Sequence, residues 1–281
     1  MPARFTSAVL LAAVLLAAPV AVARAGTAPS PAPAAPPAVE AVRATTPVRL
    51  DGRDDEAFWA AAPVVTLGRI DSRAPREATR VRFAWDADNL YLFAELEDDD
   101  AVATARSDRQ PQQTEGDVLE LFIGPSGRTW YWELHYTPGS RRAAFFFPSA
   151  GRRLGSNITE GPRPRHRHAA RVDGTLNDWR DHDSRWTVEI AIPWAGLVVD
   201  DGTDAPSRSG WRVLLGRYDY SRWQDEVEIT FWPPLPALRF HRPDLFAPLR
   251  LLDADAATIE TPLPAAESGK SSKRSRRNAR G

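Results

Sequence analysis

From residue 79 onward, apolar and polar positions alternate in twos. Residues 79–86 (TRVRFAWD) place Val81, Phe83 and Trp85 on one side and Arg80, Arg82 and Ala84 on the other. That is the period of a strand with one buried face. Residues 89–97 (NLYLFAELE) repeat the pattern, and Asp86-Ala87-Asp88-Asn89 supplies turn chemistry between them, so the two runs predict a hairpin. A second hairpin is predicted for 117–123 (DVLELFI) and 129–137 (TWYWELHYT), joined by the longer Gly124-Pro125-Ser126-Gly127-Arg128 loop. Further strands are expected at 141–147, 168–172, 185–192, 211–220, 227–232 and 249–252. Residues 151–167 and 173–183 read as long surface loops, where binding tends to sit on a β-scaffold.

Helical signal is scarce. One short helix is expected at 54–62 (DDEAFWAAA), where Asp54 can cap, the early acids suit the helix dipole and Pro63 ends the run. Residues 193–197 can form one helical turn. Many short strands with turn signals and no long helical pattern predict an all-β antiparallel sandwich or barrel.

The ends read differently. Arg4 precedes an Ala/Leu/Val run over 8–22, followed by Ala23-Arg24-Ala25. This is the pattern of a secretory signal peptide (1–25) cleaved after Ala25. The run of about 15 residues is shorter than the roughly 20 that span a bilayer, and no Cys follows it to take a lipid. The expected location is therefore the periplasm or the medium, with no transmembrane segment. Residues 26–39 (GTAPSPAPAAPPAV) form a Pro/Ala-rich linker without charge or aromatic groups. Residues 265–281 carry Lys270, Lys273, Arg274, Arg276, Arg277 and Arg280 against Glu267, a basic tail expected to be disordered and able to contact anionic surfaces. The folded domain is expected over 40–264.

Composition narrows the chemistry. The absence of Cys excludes disulfides, thiolate nucleophiles and Cys-based metal sites. The net charge is −1, and since both ends are basic, the domain between them is acidic, which argues against a nucleic-acid face. No G-x-S-x-G elbow, Walker loop or dinucleotide fingerprint occurs. Acidic residues are plentiful, but no spacing fixes a glycosidase pair. The Asp98-Asp99-Asp100 run is either a solvated turn or a source of oxygens for a structural calcium; no other cofactor is expected.

Ten Trp are present. Trp59, Trp85 and Trp186 fall on apolar faces and predict core, whereas Trp130 and Trp132 share one strand face and serve either the core or a ligand platform. Glu120 and Glu189 interrupt apolar strands. Each is either held by a partner or placed to accept hydrogen bonds from a ligand.

Several strings, in order, resemble the family 9 carbohydrate-binding modules. They are Leu50-Asp51-Gly52 with Asp55-Glu56 and Trp59, then Trp85-Asp86 with Asn89-Leu90-Tyr91, and 117–123. Residues 186–194 (WTVEIAIPW), 211–217, and 241–246 (HRPDLF) with Leu249 complete the series. The resemblance spans about 45–252. It implies a β-sandwich of DOMON-like or jelly-roll type, no catalysis, and capture of a polysaccharide end between two aromatic rings with charged groups nearby. By position it implies Glu120 as the hydroxyl acceptor and Phe240 near the second stacking position, with Trp130 or Trp132 as further stacking surface and Glu133 and Arg217 as polar contacts. The first stacking position falls on Thr114, so one jaw of a two-Trp clamp is absent. The expected function is an exported, non-catalytic carbohydrate-binding protein. The alternatives are a haem-binding electron-transfer domain, which the DOMON relationship allows, and a structural or adaptor module of an envelope complex.

Overall fold

The computed structural model describes residues 36–108, 110–152 and 164–253. The expected signal peptide, residues 26–35 of the linker, the basic tail and residues 153–163 of the first long loop lie outside the described residues.

The alternating runs become strands. In chain order these are β1 (Val39–Arg43), β2 (Val65–Thr66), β3 (Thr79–Trp85), β4 (Asn89–Glu97), β5 (Val118–Pro125) and β6 (Tyr131–Tyr136). Then follow β7 (Arg142–Phe147), β8 (Arg167–Asp173), β9 (Arg185–Pro193), β10 (Trp211–Asp219), β11 (Glu228–Trp232) and β12 (Ala247–Leu251). One path runs β7-β6-β5-β10-β12-β1-β3-β4-β9-β8, with β11 on β10 and β2 on β3. The sheet curls so that its two halves pack face to face as a sandwich.

The inward faces follow the period of two. Val81, Phe83 and Trp85 of β3 meet Leu90, Leu92, Ala94 and Leu96 of β4 and Trp186, Val188, Ile190 and Ile192 of β9. From the other half come Leu119, Leu121 and Ile123 of β5, Trp132, Leu134 and Tyr136 of β6, and Val213 and Leu215 of β10. All of them are buried, and at about 25 cal/mol per Å² of apolar surface this shared core is the main source of stability.

Two expectations are corrected. The sheet is mixed rather than wholly antiparallel, because β1 joins the two halves by parallel pairing on both sides, Val39 to Leu249 of β12 and Ala41 to Phe83 of β3. The helix expected at 54–62 is only a 3₁₀ segment, Ala57–Ala61, with no side-chain cap. The acids meant to cap it are used elsewhere: Asp54 accepts a bond from Arg82 and Glu56 accepts the Arg49 N–H. The segment instead buries Phe58 and Trp59 against Ala84, Tyr91 and Phe93 on the outer face of β3 and β4. The helical turn expected after β9 is present as α1 (Trp194–Leu197).

The outer face of the other half is also covered, and this positions the site. Between β11 and β12 the chain lays Leu235, Phe240 and Phe246 over Phe122, Tyr131, Leu214 and Phe231. A second, smaller apolar layer thus closes over the backs of β5, β6 and β10.

Candidate functional site

Residues of one parity on β5, β6 and β10 point into this second layer. Glu120 lies opposite His135 on β6 and opposite Gly216 on β10. Since side chains alternate along a strand, Phe122, Glu133 and Tyr218 share that face. Residues 238–242 cross above them. A cavity of about 400 Å³ opens between the two, lined by Gln113, Glu120, Phe122, Glu133, Tyr218 and the 238–242 segment. That volume falls within the range of small-ligand sites.

The floor is a carboxylate–imidazole cluster. His135 Nε2 lies 2.7 Å from Glu133 Oε1 and 3.2 Å from Glu120 Oε1. The backbone N–H of Gln112 donates to His135 Nδ1 at 3.1 Å. Nδ1 is therefore the acceptor nitrogen and Nε2 carries the hydrogen shared by the two carboxylates. His135 is fully buried and Glu120 is 2% exposed. Burial pushes the Glu120 carboxyl up to about 7; His135 opposes the rise and Glu133 adds to it. The same bond bears on metal binding. Glu120, Glu133 and His135 offer ligand atoms within 4.8 Å of one another. Metal-bound histidine donates from its other nitrogen, and here that nitrogen accepts from Gln112, so the donor set does not suit a metal.

Glycine at 216 leaves room for the pocket wall. A Cβ there would stand 3.0 Å from Phe240 Cε2 and 3.4 Å from Glu120 Oε2. Phe240 packs edge-on against Phe122, Phe231 and Tyr218. Glu133 Oε2 and Gln113 Oε1 are buried without a hydrogen-bond partner, and His241 Nε2 stands 3.9 Å from Glu133 Oε2. His241 itself is positioned by Tyr131, whose hydroxyl lies 2.9 Å from Nδ1.

The structure thus brings together three of the six residues singled out in the sequence: Glu120, Glu133 and Phe240. The other three stand elsewhere. Trp132 points inward, packs on Phe146 and donates its indole N–H to the Leu197 carbonyl. Trp130 packs on Phe146 and Trp211 and bonds Asp201. Neither ring lines the cavity over Glu120, because their shared parity turns both away from it; Trp130 instead borders a separate cavity with Thr129, Arg212 and Phe246. Arg217 is one residue out of phase with Glu120 and also points inward. It bonds Thr79, the Glu97 carbonyl, Asp98 and Asp219. Thr114 is exposed, and its neighbour Gln113 lines the pocket instead.

Further residues at the pocket were not singled out for the site, among them His135, Tyr218, Gln113 and His241. His135 carried a signal, since it stands two positions along β6 from Glu133; Tyr218 is placed only by the register of Gly216 with Glu120. Gln113 and His241 come from loops and carried none.

Other acids have structural partners. Asp98 accepts from Trp186 and Arg217, Asp99 from Arg76 and Ser221, and Asp100 from the Arg222 N–H. Asp98 also stands with Asp117 and Asp219 in a buried group whose carboxylate oxygens lie within 4.8 Å of one another. Glu189 accepts the N–H groups of Asp51 and Gly52 on the opposite outer face. It holds the amino-terminal segment, far along the sheet path from the pocket. Trp179 and Trp223 are 70% and 49% exposed, but neither lines the cavity.

A solved structure of a putative carbohydrate-binding protein from Bacteroides uniformis superposes with a TM-score of 0.60 at 15% identity, covering 77% of this chain and 100% of that one. A family 9 carbohydrate-binding module from Caldicellulosiruptor kristjanssonii, in complex with cellotriose, gives 0.49 at 15% identity over 80% of this chain and 99% of that one. Among curated protein sequences none matches significantly. The sequence model described as "Carbohydrate family 9 binding domain-like" matches residues 50–246, from the Leu50-Asp51-Gly52 turn to the Phe246 that closes the second layer, and the chain belongs to that family.

Proposed function

We propose that this protein binds a carbohydrate, without transforming it, in the cavity over Glu120. The observation that carries the reading is the convergence of Glu120, Glu133, Tyr218 and Phe240 on one cavity in a chain of a carbohydrate-binding family. Carboxylate oxygens accept hydroxyl hydrogens through charge-assisted bonds, and aromatic walls meet the C–H faces of a sugar ring. Glu120 and Glu133 sit on adjacent strands and share the His135 hydrogen. They do not flank a cleft from opposite sides, as an acid and a nucleophile must to act on a glycosidic bond. That arrangement suits holding a sugar.

The amino-terminal pattern of Arg4, the apolar run and Ala23-Arg24-Ala25 supports export to the periplasm or medium. Among the described residues no helix is long and apolar enough to cross a membrane.

Calorimetric titration against mono- and oligosaccharides, preceded by a glycan array, tests the reading. The expected result is saturable binding to at least one glycan series with its chain length unchanged on incubation. Glu120→Ala should weaken that binding by roughly tenfold or more while the domain stays folded. Absence of binding to every glycan, or cleavage of the bound one, overturns it.

A further inference from the structure

The charge of the cluster narrows the sugar. Glu120, Glu133 and His135 comprise two acids and one base. With Nδ1 of His135 accepting the Gln112 N–H, the imidazole carries no charge to offset the acids, and even with a proton on Glu120 one negative charge remains in the buried floor. Among the described residues no buried cation neutralises it. The basic side chains that line the cavity are Arg239, Arg242 and His241, all exposed. Arg242 is held in a two-pronged pair with Asp244 at 2.8 and 2.6 Å. Among the described residues neither arginine forms an ion pair with Glu120 or Glu133. His241 approaches Glu133 only to 3.9 Å. A buried carboxylate without a full partner is costly, and a site that keeps one is built for a group that completes it.

The unpartnered atoms agree on what that group is. Glu133 is 5% exposed, and its Oε2 has no hydrogen-bond partner, nor has Gln113 Oε1. Both are acceptors. An ammonium offers three donors and no acceptor, whereas a hydroxyl brings a lone pair that these oxygens cannot use. Phe240, Phe122 and Tyr218 also line the cavity, and the face of an aromatic ring attracts a cation.

We propose that the cavity takes an amine-bearing sugar, a 2-amino sugar residue with its nitrogen protonated, whose ammonium docks on Glu133 and Glu120. The inference rests on the carbohydrate-binding reading and names the sugar class within it.

Titration of the full domain near neutral pH with three matched series tests it: glucosamine oligosaccharides with free amines, their N-acetylated counterparts, and the corresponding glucose oligosaccharides. The free-amine series should bind at least about tenfold more tightly than either other series. Glu133→Gln should erase that preference while binding of the neutral series persists. Equal or tighter binding of the N-acetylated or glucose series overturns the amine assignment and leaves sugar binding standing. Failure of all three series, with no other glycan bound, removes both. If Glu133→Gln does not fold, the wild-type ranking of the three series decides by itself.

Discussion

Glu133 and His135 stand two residues apart on β6, and their side chains meet at 2.7 Å on the outer face of the sheet. That single bond, with the Gln112 N–H on the far side of the ring, fixes the imidazole and so the floor of the cavity. Removing the ring leaves two buried carboxylates facing one another and one backbone N–H without an acceptor. His135→Ala should destabilise the domain by about 2–4 kcal/mol, measured as a lowered midpoint in urea. A double variant with Glu120→Gln should recover part of that loss, because one of the two charges is then absent. Equal stability of the single and double variants would show that the carboxylates do not interact.

Glu120 should make stability depend on pH in a direction opposite to a surface carboxylate. Burial raises its carboxyl to about 7, against about 4.3 in an unfolded chain. Between those values the folded protein holds a proton that the unfolded chain has released. The stability this residue contributes is therefore full below about pH 4 and is lost as pH rises through about 7. Glu120→Gln should gain on the wild type across that window, by at most about 1.4 kcal/mol per pH unit, and the difference should level off above it. Urea midpoints of both proteins at a series of pH values read the effect. A difference that does not change with pH would place Glu120 among ordinary carboxylates.

Arg217 is buried in the core and does not line the cavity. Its guanidinium bonds Asp98 and Asp219, each at 3.1 Å, in the interior. Burial raises the Asp98 carboxyl to about 7 even with Arg217 opposing. Arg217→Met should cost about 3–5 kcal/mol, since it strands buried charge. Sugar affinity of the molecules that remain folded should be unchanged, because the side chain points away from the cavity. A variant with native stability and lost affinity would contradict the inward placement.

Trp132 gives the complementary case. Its ring is buried in the main core, and Trp132→Ala should cost about 3–5 kcal/mol. Trp132→Phe, which keeps most of the packing but loses the bond to the Leu197 carbonyl, should bind sugar as the wild type does. Phe240→Ala should do the reverse, weakening binding out of proportion to its effect on stability. Paired calorimetry and denaturation on the three variants separate the roles.

The period of two decided most of the fold before any contact was known. Val81, Phe83 and Trp85 turned inward because an alternating strand has only one face to bury, and the same rule placed Trp186, Val188 and Ile190. It could not say which of the two faces near Glu120 was the core, since both carry aromatics: Trp130 and Trp132 on one, Phe122 and Tyr131 on the other. That was settled by the 233–246 segment, which returns across the sheet and covers the second face. Parallel pairing of β1 and the loss of the helix at 54–62 were likewise tertiary outcomes, because Asp54 and Glu56 found stronger partners in Arg82 and the Arg49 N–H than the helix end offered. Sequence alone determined strands, parity and the position of Glu120, as these follow from local periodicity. Only the tertiary structure decided that Glu120, Glu133, Tyr218 and Phe240 share one cavity above His135, because they come from three strands and a crossing loop whose register depends on contacts far apart in the chain.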